Sequence, residues 1–280
     1  MRSVWDVARW TLRDQRGGVI GLSLTMFGLA CTMTLLYPSY SDSLAQIELP
    51  PALEGFLGAA GSLASPEGFI TAEVFSWLPV VIAVFAVVWG TGTIAGDEAD
   101  GALDLMLAQP VRRAGILVGK ALGLGMGVTI ITLALYPGLM LGAVIVDVDI
   151  GAGALLAAVV SQLPLVVLYL AVGMLAAAAL RTRRAAAVVT TSALVAAYAL
   201  QLVGGAVPEL DVLSRITPLH WADASVEMVD GAQPLRWLAV AGVAVVVLAC
   251  AVVLFERREI GSGQPRRAAR HRRSRINRRA

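Results

Sequence analysis

A chain of 280 residues would ordinarily make one or two soluble domains, but 58 % of this one is hydrophobic and only 15 % is charged, with a mean hydropathy of +0.76. Globular chains run at about 45–50 % apolar and about 25 % charged, so a soluble core cannot hold this much apolar surface, and lipid is the natural solvent. The net charge of +2 hides a split: residues 261–280 carry eight arginines and no acid, and the rest of the chain is net negative.

The two cysteines, Cys31 and Cys250, lie in separate apolar runs. They exclude a disulfide-rich scaffold or a four-sulfur zinc site and read as small buried hydrophobes.

In chain order, residues 2–16 come first and show helical periodicity. Arg2, Asp6, Arg9, Arg13 and Arg16 recur at steps of three and four, with Val4, Trp5, Ala8 and Leu12 on the opposite face. This pattern predicts an amphipathic helix along the inner membrane surface, its arginines toward lipid phosphates. Six windows without Asp, Glu, Lys or Arg follow: 18–37, 74–95, 121–146, 155–180, 185–207 and 237–255. A membrane-spanning helix needs about 20 apolar residues, and a central charge costs about 2.5–3.5 kcal/mol, so these windows predict six transmembrane helices. Met26 and Met33, seven apart in the first, read as packing residues. Gln162, Gln201, Ser161, Tyr169 and Tyr198 are polar groups inside spans, available to line a path or to bond between helices.

The connections alternate in charge. Segments 1–17, 96–120, 181–184 and 256–280 hold 20 of the 22 basic residues, and the opposite set holds only Arg215 and Arg236. The positive-inside rule then predicts cytoplasmic termini. The outward connections 38–73 and 208–236 are semi-apolar, suited to short surface helices that lid a path or seal the bundle. His220 and Asp223 beside Trp221 read as an interfacial aromatic cluster, since no third ligand for a metal is evident. The arginine-rich tail, 261–280, is expected to be disordered in water and set apart from a membrane domain over 1–260.

One inward connection differs from the others. Within residues 90–123, Asp97, Asp100 and Asp104 share one helical face and Ala99, Leu103 and Met106 another, before Pro110 ends the helix and Arg112 and Arg113 follow. An acidic amphipathic helix is poorly suited to an anionic leaflet, so a soluble protein is the better partner for its apolar face. Glu98, Gly101, Leu103, Leu105, Leu107, Pro110 and Arg113, followed by Gly119 and Lys120, resemble the second cytoplasmic segment of permease subunits of ABC type-2 transporters. Ala102 and Met106 stand where that family usually has threonine and leucine. The run Phe255-Glu256-Arg257-Arg258-Glu259-Ile260 is similar to the family's closing motif.

The resemblance implies an all-α membrane subunit of an ATP-driven exporter in the bacterial plasma membrane. It also implies that Glu98, Gly101, Leu103, Leu105, Leu107, Pro110 and Arg113 form a coupling helix seated in a separate cytosolic ATP-binding-cassette ATPase. A second permease copy, the same or homologous, would complete the path. Membrane lipid is the other expected partner and nucleic acid is not. The apolar spans make a lipophilic drug, antibiotic or lipid-like compound the default cargo.

No catalytic, cofactor or metal residues are assigned. Gly115 to Lys120 is one residue short of a phosphate-cradling loop, and the glycines at 123, 125 and 127 read as close helix packing. An ion-coupled carrier is disfavoured by the absence of acids in the windows. A scaffold or sensor recruiting a cytosolic partner through the same helix is the remaining alternative.

Overall fold

A computed structural model describes residues 3–44, 65–99, 113–180, 182–207 and 210–257. Among them all regular structure is helical. Six segments are long and apolar enough to cross a membrane: Arg16–Ser41, Pro66–Gly92, Ala114–Ile145, Ala152–Ala179, Arg183–Gly204 and Pro234–Arg257. Each begins upstream of its uncharged window. Helices tolerate a charged or polar first turn at the bilayer surface, so the windows mark hydrocarbon rather than helix ends.

Helix α1 (Val4–Asp14) opens on a capping box, with Ser3 Oγ accepting from the Asp6 amide and Asp6 Oδ2 accepting from the Ser3 amide, both at 3.2 Å. Helix α2 (Arg16–Leu44) follows after Gln15, so the first span starts almost without a linker. Chain resumes with the short helix α3 (Pro66–Ile70), one π-helical turn over Thr71–Phe75, and α4 (Leu78–Ala99). Proline explains the interruption. Pro79 has no amide hydrogen to offer the Phe75 carbonyl and its ring crowds that carbonyl, so the preceding turn widens and Ser76 N bonds Thr71 O instead. The outward connection expected over 38–73 is therefore largely helical at both ends, and residues 45–64 lie outside the described residues.

The third span is broken in the same way. Helix α5 (Arg113–Leu133) gives way at Ala134 to α6 (Leu135–Ile145), because Pro137 cannot bond the Leu133 carbonyl. Helices α7 (Ala152–Ala179) and α8 (Arg183–Ala206) are continuous, and Thr182 Oγ1 caps α8 at Ala185 N, 3.2 Å. Three short helices, α9 (Asp211–Ile216), α10 (Pro218–Trp221) and α11 (Ala224–Val229), lead into α12 (Pro234–Arg257).

Helix α7 is the axis of the bundle. Its most apolar stretch is 67 % buried, against 22 %, 17 % and 22 % for α2, α8 and α12. It packs most extensively on α4 and α12, while α2 lies against α6 and α5. The principal core gathers Met26, Leu78, Ile82, Leu117, Leu139, Leu155, Met174 and Phe255. Outward-facing Val188, Val195, Leu238, Val245 and Val246 leave a broad apolar surface that suits hydrocarbon and would aggregate in water. Hydroxyls inside the spans turn back to their own backbone: Thr25, Thr34, Thr91, Thr132 and Thr190 each donate to the carbonyl four residues earlier at 2.8–2.9 Å.

Candidate functional site

The bundle has two unlike ends. At one, α1 lies in a seam of α5 built from small residues. A Cβ on Gly119 would come within 2.6 Å of Val7 Cβ and 2.8 Å of the Val4 carbonyl, and one on Gly123 within 2.5 Å of the Ala8 carbonyl. The third glycine of the series, Gly127, meets Val19 and Trp89. Of the glycines expected to pack closely, Gly123 and Gly127 do so, whereas a Cβ on Gly125 would meet nothing within 4 Å, because it points away from the seam.

The buried face of α1 is Val7, Ala8 and Thr11, whereas Trp5 is 59 % exposed and Trp10 39 %. Of the expected apolar face, Ala8 is fully buried and Val4 and Leu12 are half-buried, with Leu12 against the core, but Trp5 is not part of it. The protein, not lipid, takes the small residues, and the tryptophans face out with Arg9 and Arg13. Lys120, the lysine of the glycine–lysine pair, is buried beside this seam and interacts electrostatically with Asp14 of α1.

The segment singled out for its motif joins α4 to α5 at this end. Glu98 falls in the last turn of α4 and Arg113 is the first residue of α5. Gly101, Leu103, Leu105, Leu107 and Pro110 lie outside the described residues, as do 258–280 and so the whole of the basic tail. Arg183, at the start of α8, sets its guanidinium against Gly92 of α4.

At the other end, α9–α11 fold back as a cap. Helix α11 buries Ala224, Ser225, Glu227 and Met228 against α7, α3 and the π turn. Asp223 Oδ1 caps α11, accepting from the amide (2.9 Å) and hydroxyl (2.7 Å) of Ser225. Glu227 is 1 % exposed, and its carboxylate accepts from the Gln233 amide at 2.7 Å and from Trp237 Nε1 at 2.8 Å, fastening the cap to the start of α12. Arg236 Nη2 donates to the His220 carbonyl at 2.9 Å, and Trp221 Nε1 to that of Arg215 at 3.0 Å. The rings of His220 and Trp221 meet edge to face, with centroids 6.4 Å apart.

Under the cap lies a cleft with about 740 Å³ of empty space, part of it open to solvent. Its walls are the π turn and the start of α4, with Thr71, Phe75, Ser76 and Pro79, and the cap, with Leu219 and Asp223. Gln162 and Leu165 enter from α7, Tyr198 and Gln201 from α8. Gln162 is 2 % exposed and donates through Nε2 to the Ala222 carbonyl (2.7 Å) and to Ser161 Oγ (2.9 Å). A carbonyl acceptor fixes which end of the amide is nitrogen. Gln162 Oε1 is left with no hydrogen bond from the described residues, as is the Tyr198 hydroxyl. Thr217 Oγ1 bonds Gln201 at 2.8 Å.

Of the polar residues picked from the spans, Gln162, Tyr198 and Gln201 therefore converge on one cleft. Ser161 supports Gln162 and bonds the Ala158 carbonyl, and Tyr169 packs in a separate core cluster with Leu165 and Leu194. Sequence reasoning missed Thr71, Ser76, Glu227 and the capping role of Asp223. Pro79 and the Asp223–Ser225 pair were the signals available for the first and last of these.

The family model described as "ABC-2 family transporter protein" matches residues 5–260. Among curated proteins none matches the chain.

Proposed function

The chain belongs to the ABC-2 family of transporter proteins, whose members are multi-pass membrane permeases that partner an ATP-binding-cassette subunit, and we propose that it is the membrane subunit of an ATP-driven exporter. The observation that carries this reading is the family match across both the six spans and the connection between α4 and α5. In this reading the end bearing α1 faces the cytoplasm of a bacterial cell, because 20 of 22 basic residues fall on the connections of that side. The capped end faces outward. Residues 97–113 form the coupling helix, with Leu103 and Leu107 as apolar anchors in a groove of the ATPase and Glu98 and Arg113 as charged contacts at its two ends. A second permease copy completes the path, and the cargo is a lipophilic compound.

The way the elements join supports this reading of coupling. A push on residues 97–113 acts directly on the end of α4 and the start of α5, and α5 carries α1 in its glycine seam. Helix α4 in turn packs along α7, which reaches the cleft through Gln162 and Leu165. Movement at one end therefore has a continuous packed route to the other.

Co-purification of the cytosolic ATPase with the permease tests the reading. Burying each leucine contributes about 1.5–3 kcal/mol, and an unpaired acid in the groove costs more. Leu103→Asp is expected to reach the membrane at wild-type levels, to lose the ATPase in a pull-down and to abolish transport. Equal ATPase yields from wild type and variant would sink the coupling-helix assignment.

A further inference from the structure

The cleft under the cap has a chemistry more specific than a lipophilic path requires. It has the apolar walls and the few convergent polar groups typical of small-molecule sites. Phe75, Pro79, Val80, Leu165 and Leu219 supply the apolar surface. The polar groups divide unevenly. Gln162, 98 % buried, presents an amide oxygen that accepts nothing from the described residues, because its nitrogen is used by Ala222 and Ser161. Asp223 spends Oδ1 on capping α11 and keeps Oδ2 without a partner among the described residues.

Among the described residues no lysine or arginine lines the cleft, and Arg236 of α12 is engaged on the His220 carbonyl. One wall is the π turn set by Pro79, a form frequently found at functional sites. Acceptors and a carboxylate without a compensating cation favour a ligand that donates hydrogen bonds and carries positive charge, and disfavour an anion.

We propose that the capped cleft, built by Gln162, Tyr198, Gln201 and Asp223 over apolar walls, is a binding site for an amphipathic amine. The protonated nitrogen is answered by the Asp223 carboxylate and the Gln162 amide oxygen, and the apolar body by Phe75 and Leu165. The site deepens the exporter reading by naming a class of cargo, and as cargo it rests on that reading. Binding itself does not require an ATPase.

The test is therefore run on the full chain in neutral-lipid nanodiscs with no ATPase present, so that failure of coupling and failure of the site are separate results. Rhodamine 6G, a cationic xanthene dye with N–H donors, is titrated against carboxyfluorescein, an anionic dye on the same ring system, with empty nanodiscs subtracted. Saturable binding of rhodamine 6G at least tenfold tighter than carboxyfluorescein is expected. Asp223→Asn should weaken it tenfold or more while leaving the unfolding temperature near wild type, because asparagine caps a helix as well as aspartate does. Ala72→Phe, which fills the cleft from the π turn, should abolish binding, and Tyr198→Phe should weaken it by less than Asp223→Asn. Unsaturable binding, equal affinity for the two dyes, or rhodamine affinity unchanged in both Asp223→Asn and Ala72→Phe would overturn the proposal.

Discussion

Gly90 and Gly173 touch backbone to backbone where α4 crosses α7. A Cβ on Gly173 would sit 3.3 Å from Gly90 Cα, and one on Gly90 would sit 2.6 Å from the Leu170 carbonyl oxygen. The crossing brings together the two helices with the most extensive mutual contact, and it lies between the α4–α5 connection and the cleft. Lipid offers no hydrophobic drive to hold helices together, so the close approach gains its stability from dispersion contacts that any side chain here would open.

Gly90→Ala is accordingly expected to destabilise. The nearest obstacle is backbone, which cannot swing aside, and overpacking of this kind costs about 1–3 kcal/mol. The unfolding temperature in detergent should fall relative to Gly28→Ala, where the added methyl meets nothing within 4 Å. Equal unfolding temperatures would show that the crossing relaxes freely.

The seam between α1 and α5 makes a second prediction. Gly123→Leu should lever α1 off α5, because the side chain would collide with the Ala8 carbonyl and Thr11, whereas Gly125→Leu points into open space. In a chain with Cys31 and Cys250 replaced by alanine, Ala8→Cys is expected to resist maleimide labelling in the parent and in Gly125→Leu, and to label readily in Gly123→Leu. Resistance in all three would mean that α1 is held by something other than the seam.

The third prediction concerns the fastening of the cap. Glu227→Leu removes the acceptor for both the Gln233 amide and the Trp237 indole. Each buried donor left unsatisfied costs about 1–3 kcal/mol, so the cap should loosen from α12. Trp237 emission is expected to shift to the red as water reaches the indole, and the unfolding temperature to drop. Glu227→Gln keeps one acceptor oxygen and should show a smaller change in both. An unshifted spectrum in Glu227→Leu would show that the carboxylate does not hold the cap.

Much of this architecture was legible in the sequence, for physical reasons that local residues carry. Uncharged windows announce six spans because hydrocarbon penalises each charge wherever it falls in the fold. The Arg2–Arg16 periodicity announces α1, and the run from Glu98 to Lys120 announces the family, since these are local patterns. Pro79 and Pro137 lie at the two interruptions, but Pro38 and Pro164 sit inside continuous helices, so the prolines alone did not announce the breaks.

The face that α1 buries, the partners of Gly90 and the convergence of Gln162, Tyr198 and Gln201 were decided only by the tertiary structure. Trp5 is the more hydrophobic residue, yet Val7 and Ala8 are the buried ones, because the glycine seam of α5 accepts a small profile and excludes an indole. Gln162 and Gln201 are 39 positions apart, and nothing in their neighbourhoods distinguishes a glutamine that lines a cleft from one that bonds between helices. The choice depends on how the cap residues Thr217 and Ala222 return to meet them. A contact between distant segments is fixed by the shapes that remain once each helix has packed, and the residues near it in sequence do not encode those shapes.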